Sequence, residues 1–149
     1  MPTSNAETTL YMKHTYGAPR EKVFRAWTTA AELKRWFAAG TDYVGELAEV
    51  DLRVGGKYRI GMKYLPDGTL HVATGIYKVI KAPERLVFTW SWEGQPDRGE
   101  TLVSIEFHEH GTSTEVVFTH ELFPSAELRD RHMHGWQGCF DSLARMLTG

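Results

Sequence analysis

"SAELRDRHMHGWQGCFDSLARML", residues 125–147, decides how the rest of the chain has to fold. Advancing 100° per residue from Leu128, the side chains of His132, Trp136, Cys139, Phe140, Leu143, Met146 and Leu147 fall in one sector roughly 120° wide. Asp130, His134, Gln137, Asp141 and Arg145 lie opposite. The spacing predicts an amphipathic helix about 34 Å long at 1.5 Å per residue, with Ser125 as its N-cap. A stripe of that kind needs an apolar surface to lie on. Gly135 and Gly138 sit together along one edge of it, although each costs a helix interior roughly 1 kcal/mol relative to alanine. Close approach of the helix backbone to a flanking wall is the expected reason; empty space beside Trp136 is the alternative.

The surface is supplied upstream. From Tyr43 to Phe123 the apolar period is two, in about six strand-like runs. They are separated by turn signals at Gly55-Gly56, Pro66-Asp67-Gly68, Ala82-Pro83-Glu84, Gly94 to Gly99 and His110-Gly111. Connections this short imply antiparallel pairing. Alternation places Tyr58, Ile60, Met62 and Tyr64 on one face, as it does Leu86, Phe88, Trp90 and Trp92, then Val103, Ile105 and Phe107, then Val116, Phe118 and His120. Lys57, Arg59, Lys63, Ser91, Ser104, Glu106, Glu115 and Glu121 interleave on the other face. The expectation is a sheet with one wet face and one aromatic face, the latter covered by the terminal helix.

Ahead of these runs, "TLYMKHTYG" (8–17) reads as a first strand. "APREKVFRAWT" opens a helix with Pro19 at its first position and with Val23, Phe24 and Trp27 along one stripe. "TAAELKRWF" begins a second short helix, where Thr29 and Glu32 have capping-box spacing and Leu33, Trp36 and Phe37 form an apolar face. Residues 1–8 read as a flexible tail, and the whole of 1–149 as a single domain.

Composition narrows the function classes. The 149 residues carry 17 basic and 19 acidic side chains, intermixed, for a net charge of -2, so no basic stripe is available to neutralise a nucleic acid backbone. No apolar run reaches membrane-spanning length, and membrane insertion is not expected. The single Cys139 suits a reducing, cytoplasmic setting. Seven histidines invite a metal, but His132 and His134 are two apart on a helix and point away from each other. "HEHG" and "HELFP" each lack the second histidine of a zinc-protease helix, and no metal or cofactor is expected. His132, central in the apolar sector, has two readings. It is a core histidine with both nitrogens satisfied, or a group that orients a ligand or moves a proton; His120 could join it.

Taken in order, "APREKVFRAWTTAAELKRWF", "VDLRVGGKYRIGM", "GIYKVIKAPERLVFTW", "TEVVFTHE" and "GWQGCFDSLARML" resemble the activator of heat-shock-protein-90 ATPase homologue family, a branch of the START-like, or Bet v 1-like, SRPBCC superfamily. The resemblance implies the α+β helix-grip fold: a curved antiparallel sheet of six or seven strands, two short helices after the first strand, and a long C-terminal helix over the concave face. It also implies a cavity between helix and sheet for a small hydrophobic or aromatic ligand, lipid included, bound without catalysis. The residues expected to face it are Trp36, Tyr58, Met62, Tyr77, Phe88, Trp90, Phe107, Phe118, His120, His132, Trp136 and Phe140. Two rival functions come with the family and superfamily: modulation of a chaperone ATPase in the stress response, and polyketide-cyclase-like catalysis. The oligomeric state is left open.

Overall fold

A computed structural model describes residues 7–95 and 98–148. Strand β1 (Leu10–Tyr16) is followed by helices α1 (Arg20–Thr28) and α2 (Ala30–Trp36), then by β2 (Tyr43–Val50), β3 (Lys57–Tyr64), β4 (Leu70–Lys81), β5 (Arg85–Trp92), β6 (Thr101–His110) and β7 (Ser113–Glu121), and by helix α3 (Ala126–Thr148). The seven strands form one sheet in the order β1-β7-β6-β5-β4-β3-β2, with every neighbouring pair antiparallel. The six strands from β2 to β7 meander back from the far edge to lie beside β1. The α1–α2 pair therefore carries the chain from one edge of the sheet to the other, and register shifts at Gly45/Leu47 and Tyr77/Val79 interrupt the ladders along the way. This is the helix-grip fold.

Alternation sorts the side chains as the period of two requires. Tyr58, Ile60, Met62, Leu86, Phe88, Trp90, Val103, Ile105, Phe107, Val116, Phe118 and His120 are buried. Arg59, on the opposite face, pairs with Glu49 and Glu93 at 3.0 and 2.6 Å. From the other side Val23, Phe24 and Trp27 of α1, Leu33 and Trp36 of α2, and Trp136, Cys139, Phe140, Leu143 and Leu147 of α3 close the core. Met146 is only partly buried at its margin.

Three local expectations change. Pro19 is the N-cap of α1 rather than its first helical residue, with extended φ and ψ of -63° and 151°. Thr29 caps α2 without a side-chain hydrogen bond, so the capping box does not close. Glu32 turns instead to Arg25 at 3.4 Å, across the junction of the two helices. Of the tail expected over residues 1–8, residues 1–6 lie outside the described residues, and Thr8 is held, its carbonyl accepting the Phe123 N–H at 3.2 Å.

The N-cap of α3 forms as expected, Ser125 Oγ accepting the Leu128 N–H at 3.2 Å. Just before it Leu122 adopts a left-handed φ of 71°, unusual for a residue with a branched side chain. That turn sets Phe123 against the rings of His120 and His132, at 4.3 and 4.8 Å between centroids.

Candidate functional site

The centre of the concave face is filled. Trp136 lies 4.7 Å from Phe118, 5.0 Å from Trp90 and 5.9 Å from Trp27 between ring centroids, and Trp27 lies 4.7 Å from Trp36. Phe140 packs on Phe118 at 5.2 Å, and Phe107 on Phe24 at 5.2 Å. Between Trp27, Leu33, Tyr58, Ile60, Tyr77, Phe88 and Trp90 only about 10 Å3 remains, room for no more than one water. The indole N–H groups of Trp27 and Trp90, two of the residues bordering that space, have no acceptor among the described residues.

Space opens instead beneath the first half of α3, in a groove of about 570 Å3. One wall is α3 itself, through Arg131, His132, His134, Gly135, Trp136 and Cys139. The facing wall is the segment that leaves α2, namely Phe37 and Ala39 to Tyr43. Met62 and Tyr64 of β3, His71 of β4, and Trp90 and Trp92 of β5 make the floor, and Arg98 closes one end from the β5–β6 connection. The volume lies within the range of sites that enclose drug-sized molecules.

The two helix glycines explain where the groove begins. A methyl group on Gly138 would overlap the Ala39 carbonyl, so helix and segment touch backbone to backbone there. A methyl on Gly135 would meet only the Ala39 side chain, at 3.9 Å, and Gly135 lines the groove. Each of the two expected reasons for a glycine thus applies to one of them. Contact at Gly138 fixes the wall, and the walls part toward Gly135.

Two histidine–tryptophan bonds hold α3 over the sheet at this end. Trp92 Nε1–H donates to His132 Nε2 at 2.8 Å, and the other nitrogen of that ring, Nδ1, lies 2.9 Å from the Leu128 carbonyl, to which it donates. Trp136 Nε1–H donates to His120 Nδ1 at 3.1 Å. His120 therefore carries its proton on Nε2 and donates to Thr101 Oγ1 at 2.6 Å, while the Thr101 hydroxyl donates to the Trp90 carbonyl at 3.1 Å. Both rings are neutral with both nitrogens engaged. Burial pushes the pKa of His120 well below the ordinary histidine value, helped by His132. His132 is also lowered, chiefly by burial, against the Leu128 hydrogen bond and with a further contribution from the Arg98 charge.

These bonds limit the chemistry available. The two imidazoles are neighbours, 5.5 Å between centroids, yet neither offers a free lone pair to a metal or a substrate proton. Burial pushes the Cys139 thiol up to about 12, which makes it a poor nucleophile. Among the described residues no three metal-ligating side chains gather. The arrangement can enclose and orient a molecule.

Of the twelve candidate site residues, Met62, Trp90, His132 and Trp136 line the groove. Tyr58, Tyr77 and Phe88 border the 10 Å3 space with Trp90. Trp36, Phe107, Phe118 and Phe140 belong to the packed interior, where Trp36 Nε1–H donates to the Ala26 carbonyl at 2.8 Å, and His120 sits behind Trp136. Groove residues outside that set are chiefly polar: Thr41, Asp42, Tyr43, Tyr64, His71, Arg98, Arg131 and His134. Alternation signals Tyr64 and Trp92, one step beyond Met62 and Trp90 on the same faces. Asp42 and Arg98 stand in connections, where no periodicity marks them.

Comparison with known proteins agrees with this architecture. No curated protein sequence matches the chain significantly. Among solved structures, a protein from Chromobacterium violaceum superposes with a TM-score of 0.86 at 24% identity, over 95% of this chain and 98% of that one. One from Arthrobacter aurescens gives 0.83 at 19% identity, over 98% and 91%. A protein from Plasmodium falciparum, described as an HSP90 activator, gives 0.74 at 26% identity, over 95% and 96%. The profile of the family described as Activator of Hsp90 ATPase homolog 1-like protein matches residues 17–148. With nearly all of its length inside that match, the chain belongs to the Activator of Hsp90 ATPase homolog 1-like family.

Proposed function

We propose that this protein receives a small, largely apolar or aromatic molecule in the groove beneath the first half of α3 and releases it unchanged, in the cytoplasm. The observation that carries this reading is the groove itself: about 570 Å3 of space in a domain whose remaining aromatic interior is close-packed. Met62, Trp90 and Trp92 on the floor and Trp136 on the α3 wall supply an apolar surface, and the polar side chains around it, Tyr64, His71 and Asp42 among them, supply groups that orient a ligand by hydrogen bonds. The engagement of both imidazoles argues against proton transfer, and so against a cyclase-type reaction. The test is tryptophan fluorescence against a panel of lipids, flavonoids and aromatic acids, with Gly135→Phe as the blocked variant. Saturable quenching lost in Gly135→Phe supports the reading; indifference of the parent to the whole panel contradicts it.

A second reading, modulation of a chaperone ATPase, is favoured by the likeness to the Plasmodium falciparum HSP90 activator over 95% of this chain. It predicts faster ATP hydrolysis by a purified heat-shock-protein-90 chaperone when this protein is added. That assay is independent of the groove variant.

A further inference from the structure

The groove is not electrically even. Among the described residues its charged lining consists of two guanidinium groups, Arg98 and Arg131, and one carboxylate, Asp42. The basic pair stands toward the His132 end: Arg131 precedes His132 on α3, and the Arg98 charge acts on the His132 ring. Asp42 belongs to the opposite wall, beside Tyr43. Arg98 makes no ion pair with another described residue. Arg131 is bonded to Glu127 at 2.8 Å, one turn back on an exposed helix face, the kind of pair that contributes little and is readily exchanged. Below them lies the indole floor.

Resting on the reading of the groove as a receptor, we propose that its ligand is an aromatic monocarboxylate, with the ring body on Trp90, Trp92 and Trp136 and the carboxylate held by Arg98 and Arg131. A guanidinium presents paired N–H donors that match a carboxylate edge, and charge-assisted bonds of this type exceed neutral ones. Asp42 repels a second anion from the far wall, which favours one acidic group over two. A cationic ligand meets the reverse arrangement.

The experiment is calorimetric titration of the full chain with 2-naphthoate and with 2-naphthamide, a neutral ligand of nearly the same shape. The acid is expected to bind about ten-fold more tightly than the amide at low salt, with the gap narrowing as salt rises. In Arg98→Gln/Arg131→Gln the affinity for the acid falls to that for the amide, while the amide is unchanged and circular dichroism reports the parent fold. Arg98→Lys/Arg131→Lys keeps part of the preference. Equal affinity of the parent protein for acid and amide overturns the proposal while leaving the receptor reading intact, as does a preference that survives the double glutamine variant. Binding of neither compound, together with indifference to the wider panel, overturns both.

Discussion

The indole N–H of Trp92 donates to Nε2 of His132 at 2.8 Å and so bolts the end of β5 to the first half of α3 at the groove. The bond also determines what His132 can do, because the lone pair it occupies is the one a general base would use. Trp92→Phe keeps an aromatic ring, smaller than indole, but removes the donor, leaving Nε2 of the buried His132 without that partner. The expected cost is about 1–3 kcal/mol in chemical denaturation, the usual penalty for an unsatisfied buried polar atom. Because the lost bond favoured the neutral ring, the His132 pKa should rise toward its ordinary value, which an NMR titration reads directly.

Stability should fall on mild acidification. The pKa values of His120 and His132 are both depressed in the folded state, so below about pH 6.5 the unfolded chain takes up protons that the native protein refuses. The stability these neutral rings contribute is complete above that pH and is lost as pH falls from there toward the folded-state values. Denaturation midpoints between pH 8 and pH 5 check this, and His120→Phe should flatten the profile even as it lowers the midpoint at pH 8.

The two helix glycines should behave in opposite ways. Gly138→Ala drives a methyl into the Ala39 carbonyl and is expected to destabilise by about 1–3 kcal/mol, as overpacking does. Gly135→Ala meets nothing nearer than 3.9 Å and should be neutral or stabilising by up to about 1 kcal/mol through helix propensity. Equal effects of the two would show that the wall formed by Ala39 and Gly40 is not held at Gly138.

Much of the fold is legible in the sequence because period carries it. The alternation through Leu86, Phe88, Trp90 and Trp92 by itself identifies the concave face, and the sector from His132 to Leu147 identifies what lies on it. The capping box at Thr29 misleads because Arg25 offers Glu32 a charged partner that a local motif does not register. The groove is less legible. Periodicity says which rings face inward but not which interlock: Phe118, Phe140 and Phe107 have the same pattern as Met62 and Trp90, yet only the latter two border open space. That difference is made by the segment from Phe37 to Tyr43, whose distance from α3 is set by the Gly138–Ala39 contact. The partners of His120 and His132 are hidden for a related reason. Each is an indole from another element, 40 residues away for His132 and 16 for His120, and no local spacing announces such a pair.

The five tryptophans make the central claim measurable, since each has one indole N–H resonance and they divide by location. Trp90, Trp92 and Trp136 line the groove, whereas Trp27 and Trp36 lie in the packed interior. With 15N-labelled protein titrated with 2-naphthoate, the three groove indoles are expected to move most, Trp92 and Trp136 through the histidine bonds they make, and Trp36 to stay in place on the Ala26 carbonyl. Largest shifts at Trp27 and Trp36, or no shift at any of the five with any member of the ligand panel, would contradict it.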